Sequence, residues 1–142
     1  MLSDISGFKS VNGTVTIADH IVFTTNSNAY SHWYSNELVD VTNYREIKVT
    51  IPDDDTSRSF RSGNTPLFGV SKNVPSNSSG AIGGLEKHTT FENKHDGKSI
   101  VKGDTYTVDV SAVDGAVYLV FSASGTQSWK GVLHISKIEF VT

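Results

Sequence analysis

Alternation of apolar and polar residues is clearest in the last third of the chain. Residues 106–110 place an apolar side chain at every second position, which is typical of a strand with one buried face. Residues 117–121 are apolar at every position, and this predicts a central strand that is covered on both faces. Between Ile135 and Ile138 the apolar positions change from odd to even numbers. A one-residue slip of this kind indicates a β-bulge in the last strand.

The first half of the chain divides into shorter strands of the same type. Residues 15–17 and 21–23 are predicted to form either two short strands or one strand that is broken near residues 18–20. Residues 47–51 give the cleanest half-buried strand. Residues 67–71 are predicted to form a short buried strand, and residues 81–85 a short glycine-rich one. No segment carries the apolar spacing of an amphipathic helix. The pattern therefore predicts an all-β protein, an antiparallel β-sandwich of jelly-roll type with roughly eight to ten short strands.

Composition narrows the functions that are open to such a sandwich. The formal net charge is −3 and the basic residues are scattered, which argues against nucleic acid as a partner. The chain has no cysteine, so disulfides and thiolate zinc sites are excluded. No apolar run approaches the roughly 20 residues of a membrane span, and no membrane partner is expected. The 142 residues fit one domain, 1–142, and Met1 is interpreted as a start added to a domain taken from a longer protein.

Two segments resemble a known family when they are taken together. Residues 37–49 contain a strand end and a corner, DVTNY at 40–44, followed by the next strand. Residues 106–119 (YTVDVSAVDGAVYL) contain a strand, an Asp-Val-Ser turn and a Gly-x-x-Tyr strand start. With the closing strand at 132–140, these segments resemble the jelly-roll accessory domains in tail proteins of phages that infect Gram-positive bacteria. This group includes the carbohydrate-binding-module-like insertions of distal tail and baseplate proteins.

The resemblance implies a place in the virion, an extracellular setting and two kinds of partner. One partner is a cell-wall saccharide of a Gram-positive host, and the others are tail proteins that the parent chain contacts. The matching residues lie at the corners of the sandwich, where the chain turns from one strand into the next. Asp40 and Asp109 precede turns, where a carboxylate can accept hydrogen bonds from backbone N–H groups. Tyr44 and Tyr118 can each pack an aromatic ring against a neighbouring side chain. The binding loops of such families vary most, so no binding residue follows from the resemblance.

Saccharide recognition needs aromatic faces for the apolar side of a sugar ring and planar polar groups for its hydroxyls. Residues 30–34 form one aromatic cluster. The loop that leads into the strand at residue 132 contains a second candidate, Trp129, among small polar residues. In strand alternation Tyr30, His32 and Tyr34 share one face and Trp33 lies on the other, so at least one face is expected to be core. The candidate saccharide-binding residues are Trp129, Gln127, Lys130, Trp33, Tyr30, His32 and Asn73.

Each candidate also has an ordinary structural explanation. Trp129 can fold back as a cap on the sandwich, residues 30–34 can be core, and Asn73 can belong to a simple turn. A structural or assembly spacer, whose aromatic residues pack against a neighbouring chain, is therefore the alternative to a sugar-binding module.

Catalysis and metal binding have weaker support in the sequence. No Gly-x-Ser-x-Gly elbow is present, and nothing marks the two carboxylates that a glycoside hydrolase holds about 5 to 10 Å apart. The five histidines lack the close pairing of a zinc motif. The three aspartates at 53–55 lack the alternating oxygens and the glycine of a calcium loop, so they are interpreted as a solvated charge run. We therefore expect a non-enzyme without cofactor or metal.

Overall fold

Antiparallel strands build the whole of the architecture in the computed structural model, which describes residues 5–27, 30–54, 56–57, 66–76, 82–94, 100–125 and 130–142. Nothing in these ranges forms a helix, so none is long or apolar enough to cross a membrane. The strands are β1 (Phe8–Val11), β2 (Gly13–Ile17), β3 (Ile21–Thr25), β4 (Tyr30–Ser35), β5 (Val39–Asp40), β6 (Glu46–Ile51), β7 (Leu67–Ser71), β8 (Lys87–Thr90), β9 (Asp104–Asp109), β10 (Ala116–Ser124), β11 (Val132–Ile135) and β12 (Lys137–Val141). The predicted antiparallel β-sandwich is confirmed.

The larger sheet has the strand order β1-β4-β10-β7-β8, and β5 pairs with the start of β10. Strand β10 is its centre: Phe121 lies opposite Trp33 of β4 and opposite Phe68 of β7. Val120, on the other face of β10, is also fully buried. The prediction of a central strand covered on both faces is therefore confirmed.

Two three-stranded sheets, β11-β3-β2 and β12-β6-β9, complete the sandwich. Only Ser136 separates β11 from β12, and its backbone N–H donates to Thr50 O at 2.9 Å. Leu133 and Ile135 are buried before this point and Ile138 after it, so the predicted change of phase falls at Ser136. The predicted β-bulge is wrong, because the cause is a change of partner: the chain pairs with β3 before Ser136 and with β6 after it.

Aromatic rings fill the centre of the core between the layers. Phe23 lies 4.7 Å from Phe121 and 4.9 Å from Trp33 between ring centroids, and Phe68 lies 4.8 Å from Phe121. Phe8 meets Phe23 edge to face at 5.3 Å. Full burial of one such side chain contributes about 1.5–3 kcal/mol, so this cluster is a principal source of stability in a chain without disulfides.

The two corners are closed by hydrogen bonds to aspartate, as expected. Asp40 Oδ1 accepts from the Thr42 hydroxyl at 2.6 Å and from its N–H at 3.0 Å, and Asp109 does the same for Ser111 at 2.6 and 2.9 Å. These hydroxyl and backbone bonds lower the pKa of both carboxyls. The Thr42 hydroxyl also accepts from Gly115 N at 3.0 Å, which joins one corner to the start of β10.

The prediction of a strand at residues 81–85 is wrong. Residue 81 lies outside the described residues, and residues 82–85 form no strand; pairing begins only with β8 at Lys87. Leu85 instead lies over the larger sheet, 3.1 Å from the position that a Cβ on Gly69 would occupy. Ile82 and Leu85 therefore lie over a sheet face and do not extend a sheet.

Candidate functional site

Strand β4 carries two different surfaces. Trp33 points into the core, where it is fully buried and its Nε1–H donates to Thr14 O at 2.9 Å. Tyr30, His32 and Tyr34 alternate with it and lie on the outer face of the larger sheet. Residues directly opposite one another across an antiparallel pair share a face, so Ser122 of β10 joins His32 on this outer face.

Residues 74–76 and 82–83, in the connection between β7 and β8, cover part of this outer face. His32 is fully buried although its strand turns it away from the core, and Ser122 is only 6% exposed. A cleft of about 140 Å³ remains between the connection and the sheet. The described residues that line this cleft, the His32 cleft, are His32, Val74, Pro75, Ser76, Ile82 and Gly83.

A hydrogen bond fixes the imidazole at the floor of the cleft. His32 Nδ1 lies 2.8 Å from Ser122 Oγ, and both groups are buried. A serine hydroxyl and an imidazole at this distance also form the first pair of a nucleophile–base system, which requires in addition an orienting group and oxyanion donors. Because both groups are buried, we assign the Ser122 bond a positioning role for the ring.

The cleft has the size of one six-membered ring. An engineered protein cavity of roughly 150 Å³ holds benzene, and the His32 cleft is about as large. Val74, Pro75 and Ile82 supply aliphatic surface, while Ser76 supplies a hydroxyl that forms hydrogen bonds. This mixture suits a ligand with an apolar ring face and polar substituents.

Three of the predicted binding residues lie at or beside this site. His32 lines the cleft, and Tyr30 shares its outer face. Asn73 is exposed in the turn directly before Val74, where its N–H donates to Ser71 Oγ at 3.1 Å. Trp33 requires a correction, because its fully buried indole offers no surface to a ligand.

The other candidates belong to the loop between β10 and β11. Gln127 and Trp129 lie outside the described residues. Lys130 is described and exposed, and it adjoins Gly131, whose N–H donates to Thr25 Oγ1 at 2.6 Å. The other end of the loop follows Ser124, which lies opposite Tyr30. The described ends of this loop thus meet β3 and β4.

The sequence reading missed the aliphatic wall of the cleft. Val74, Pro75 and Ile82 stand in a connection rich in serine, asparagine and glycine, which was interpreted only as turns and a strand. Apolar residues inside such a polar connection are a signal that the segment folds back onto a surface.

A second groove, of about 360 Å³, lies beside the change of partner at Ser136 and is lined by Ala18, Asp19, Ser136, Lys137 and Ile138. Two of its three polar side chains are engaged elsewhere, which leaves Asp19: Ser136 Oγ donates to Thr50 O at 3.2 Å, and Lys137 Nζ lies 3.4 Å from Glu139 Oε1. It is therefore a weaker candidate than the His32 cleft.

No cluster of three potential metal ligands occurs within the described ranges. Of the aspartates at 53–55, Asp53 pairs with Lys94 at 3.3 Å and Asp54 accepts from the Thr56 hydroxyl at 2.6 Å. The third, Asp55, is outside the described residues.

The chain matches no protein-family model, and comparisons with curated proteins and with solved structures give no match. The functional assignment accordingly rests on the geometry of the cleft together with the sequence resemblance.

Proposed function

We propose that this protein is a non-catalytic carbohydrate-binding module of a phage tail, which recognises host cell-wall polysaccharide during adsorption. The observation that supports this proposal most is the ring-sized His32 cleft on the outer face of the larger sheet. The phage setting comes from the resemblance of residues 37–49 and 106–119. The jelly-roll connectivity is part of the same proposal.

The chemistry of the cleft matches that of a sugar ring. The C–H groups of the ring would pack against Val74, Pro75 and Ile82, and its hydroxyls would bond to Ser76, with the buried His32 forming the floor beneath. Binding to one site would be weak, because a small cleft buries little area and each hydroxyl must be desolvated. Many copies on one tail would raise the avidity without any new contact.

A structural or assembly spacer remains the rival function. It would present a broad apolar patch to a neighbouring chain, but Trp33 is buried and cannot contribute to one. Within the described ranges the exposed large apolar side chains are Ile17, Leu38 and Val74. Single exposed apolar residues are ordinary on protein surfaces, and Val74 already lines the cleft.

The first experiment is binding of the fluorescently tagged protein to intact Gram-positive cells, with free saccharides as competitors. Saturable labelling that a saccharide displaces is the expected result. Absence of labelling across a broad panel of strains would favour the spacer.

A pair of variants connects the binding to the cleft. Val74 is 43% exposed and lines the cleft, whereas Ile17 is 45% exposed at the end of β2 in another sheet. Val74→Asp places a carboxylate against the apolar face of the ligand, where desolvation should weaken cell binding at least about tenfold. Ile17→Asp is the matched control and should bind as the unmodified protein does. Equal binding by both variants would exclude the His32 cleft as the saccharide site.

A further inference from the structure

Two tyrosines lie on the outer face beside the His32 cleft and outside the core. Tyr34 of β4 and Tyr118 of β10 meet edge to face with ring centroids 5.7 Å apart. Both are half-buried, and neither belongs to the central hydrophobic cluster. Lys9 of β1 lies directly opposite Tyr34, so its stem starts from the same face. We call Tyr34, Tyr118 and Lys9 the tyrosine platform.

The sheet geometry places the platform in line with the cleft. His32 and Tyr34 are two residues apart on β4, and a strand advances about 3.3 Å per residue, so their Cα atoms are about 7 Å apart. Adjoining rings of a glycan can span such a distance. On β10, Ser122 lies directly opposite His32, and Val120 lies directly opposite Tyr34, so each pair forms one row across the sheet. The two features are therefore neighbouring rows of one sheet face.

The composition of the platform also suits a saccharide. Its two aromatic rings offer flat apolar surface with hydroxyl groups at their ends, and Lys9 offers an ammonium group that can donate to hydroxyls or to an acidic substituent. Packing of the core does not account for the pair, because the β10 side chains that enter the core are Val117, Leu119, Phe121 and Ala123.

We infer that the tyrosine platform is a second subsite, which holds the sugar residue next to the one in the His32 cleft. The ligand is then a glycan segment of two or more residues, and a free monosaccharide fills only half of the site. This inference rests on the proposed function and adds the length of the ligand and three further binding residues.

Competition with fragments of defined length tests the inference. The probe is cell-wall polysaccharide from a strain that the tagged protein labels, cleaved by mild acid and separated by length. Fragments of two or three residues should inhibit labelling at concentrations at least about tenfold lower than the monosaccharide, with little gain beyond three. Equal inhibition by the monosaccharide and the longer fragments would overturn the inference while leaving the saccharide function intact. Failure of every fragment to compete would overturn both.

Variants assign the gain in affinity to the platform. Tyr118→Ala and Tyr34→Ala should each raise the inhibitory concentration of the trisaccharide about tenfold and leave that of the monosaccharide within twofold. Tyr44→Ala is the control, since Tyr44 is another half-buried tyrosine, which packs on Phe140 of β12 at 5.1 Å and against the core. If the tyrosine variants weaken the monosaccharide and the trisaccharide equally, the platform is not a separate subsite. The length series on the unmodified protein decides the question even if one variant fails to fold.

Discussion

Replacement of Trp33 distinguishes a core residue from a ligand platform. The side chain is 0% exposed, contacts Phe23 at 4.9 Å and donates an indole hydrogen bond to Thr14 O at 2.9 Å. Truncation of a buried tryptophan to alanine costs about 3–5 kcal/mol, through lost transfer energy and the cavity that remains. We expect Trp33→Ala to lose that amount of unfolding free energy, which corresponds to about 10–20 °C in Tm for a chain of this size.

Because a typical domain is stable by only about 5–15 kcal/mol, Trp33→Ala can lie close to unfolding. Trp33→Phe is therefore the companion variant: it keeps a ring in the core but removes the indole N–H, and should cost about 1–2 kcal/mol. Urea titrations followed by circular dichroism measure both, and the alanine variant should shift the midpoint by about 2 M. Cell labelling by the phenylalanine variant should be unchanged. An unchanged urea midpoint combined with lost labelling would refute the placement of Trp33 in the core.

Two further predictions concern a close backbone approach and the aspartate corners. A Cβ at Gly103 would lie 2.5 Å from Asp53 Cα, so Gly103→Ala should lower the free energy of unfolding by about 1–3 kcal/mol. A Cβ at Gly83 would meet nothing within 4 Å, so Gly83→Ala should change it by less than about 0.5 kcal/mol in the same urea assay. Equal midpoints for the two variants would contradict this contact. The pKa values of Asp40 and Asp109 are lowered in the folded protein, so both carboxylates stabilise the fold. This stabilisation is complete above the pKa of the unfolded chain, near 3.8, and is lost as the pH falls through the pKa values of the folded state. The urea midpoint should therefore drop in acid, and the gap between Asp40→Asn and the unmodified protein should narrow; a gap independent of pH would contradict it.

Most strands were predictable because burial imposes a period of two on their sequences. Strand β6 alternates buried and half-buried side chains over its whole length, as its sequence pattern indicates. Strand β8 is an edge strand whose residues are mostly exposed, so no apolar side chain marks it, and it was missed. The phase change at Ser136 was predictable because each partner strand requires buried residues at its own register.

The cleft was not predictable, because its parts are brought together only by the topology. His32 and Val74 are 42 positions apart in sequence, and β4 and β7 come close only because both pair with β10. Alternation correctly placed His32 on the face opposite Trp33, but it does not say which segment covers that face. Trp33 was a candidate because aromatic side chains suit a sugar ring, whereas the side chains that form the walls of the cleft are aliphatic.

The fold and the proposed site depend on largely different residues, and this has a consequence for specificity. The core rings and the aspartate corners hold the sandwich together, while Val74, Ser76 and Gly83 lie exposed on the connection that walls the cleft. Substitutions at exposed positions usually change stability by less than about 0.5 kcal/mol. The wall can therefore change its chemistry with little cost to folding, whereas His32, fixed by Ser122 on the floor, cannot. Under the proposed function, the buried floor would give the cleft a constant depth, and the exposed wall would determine which sugar ring is accepted.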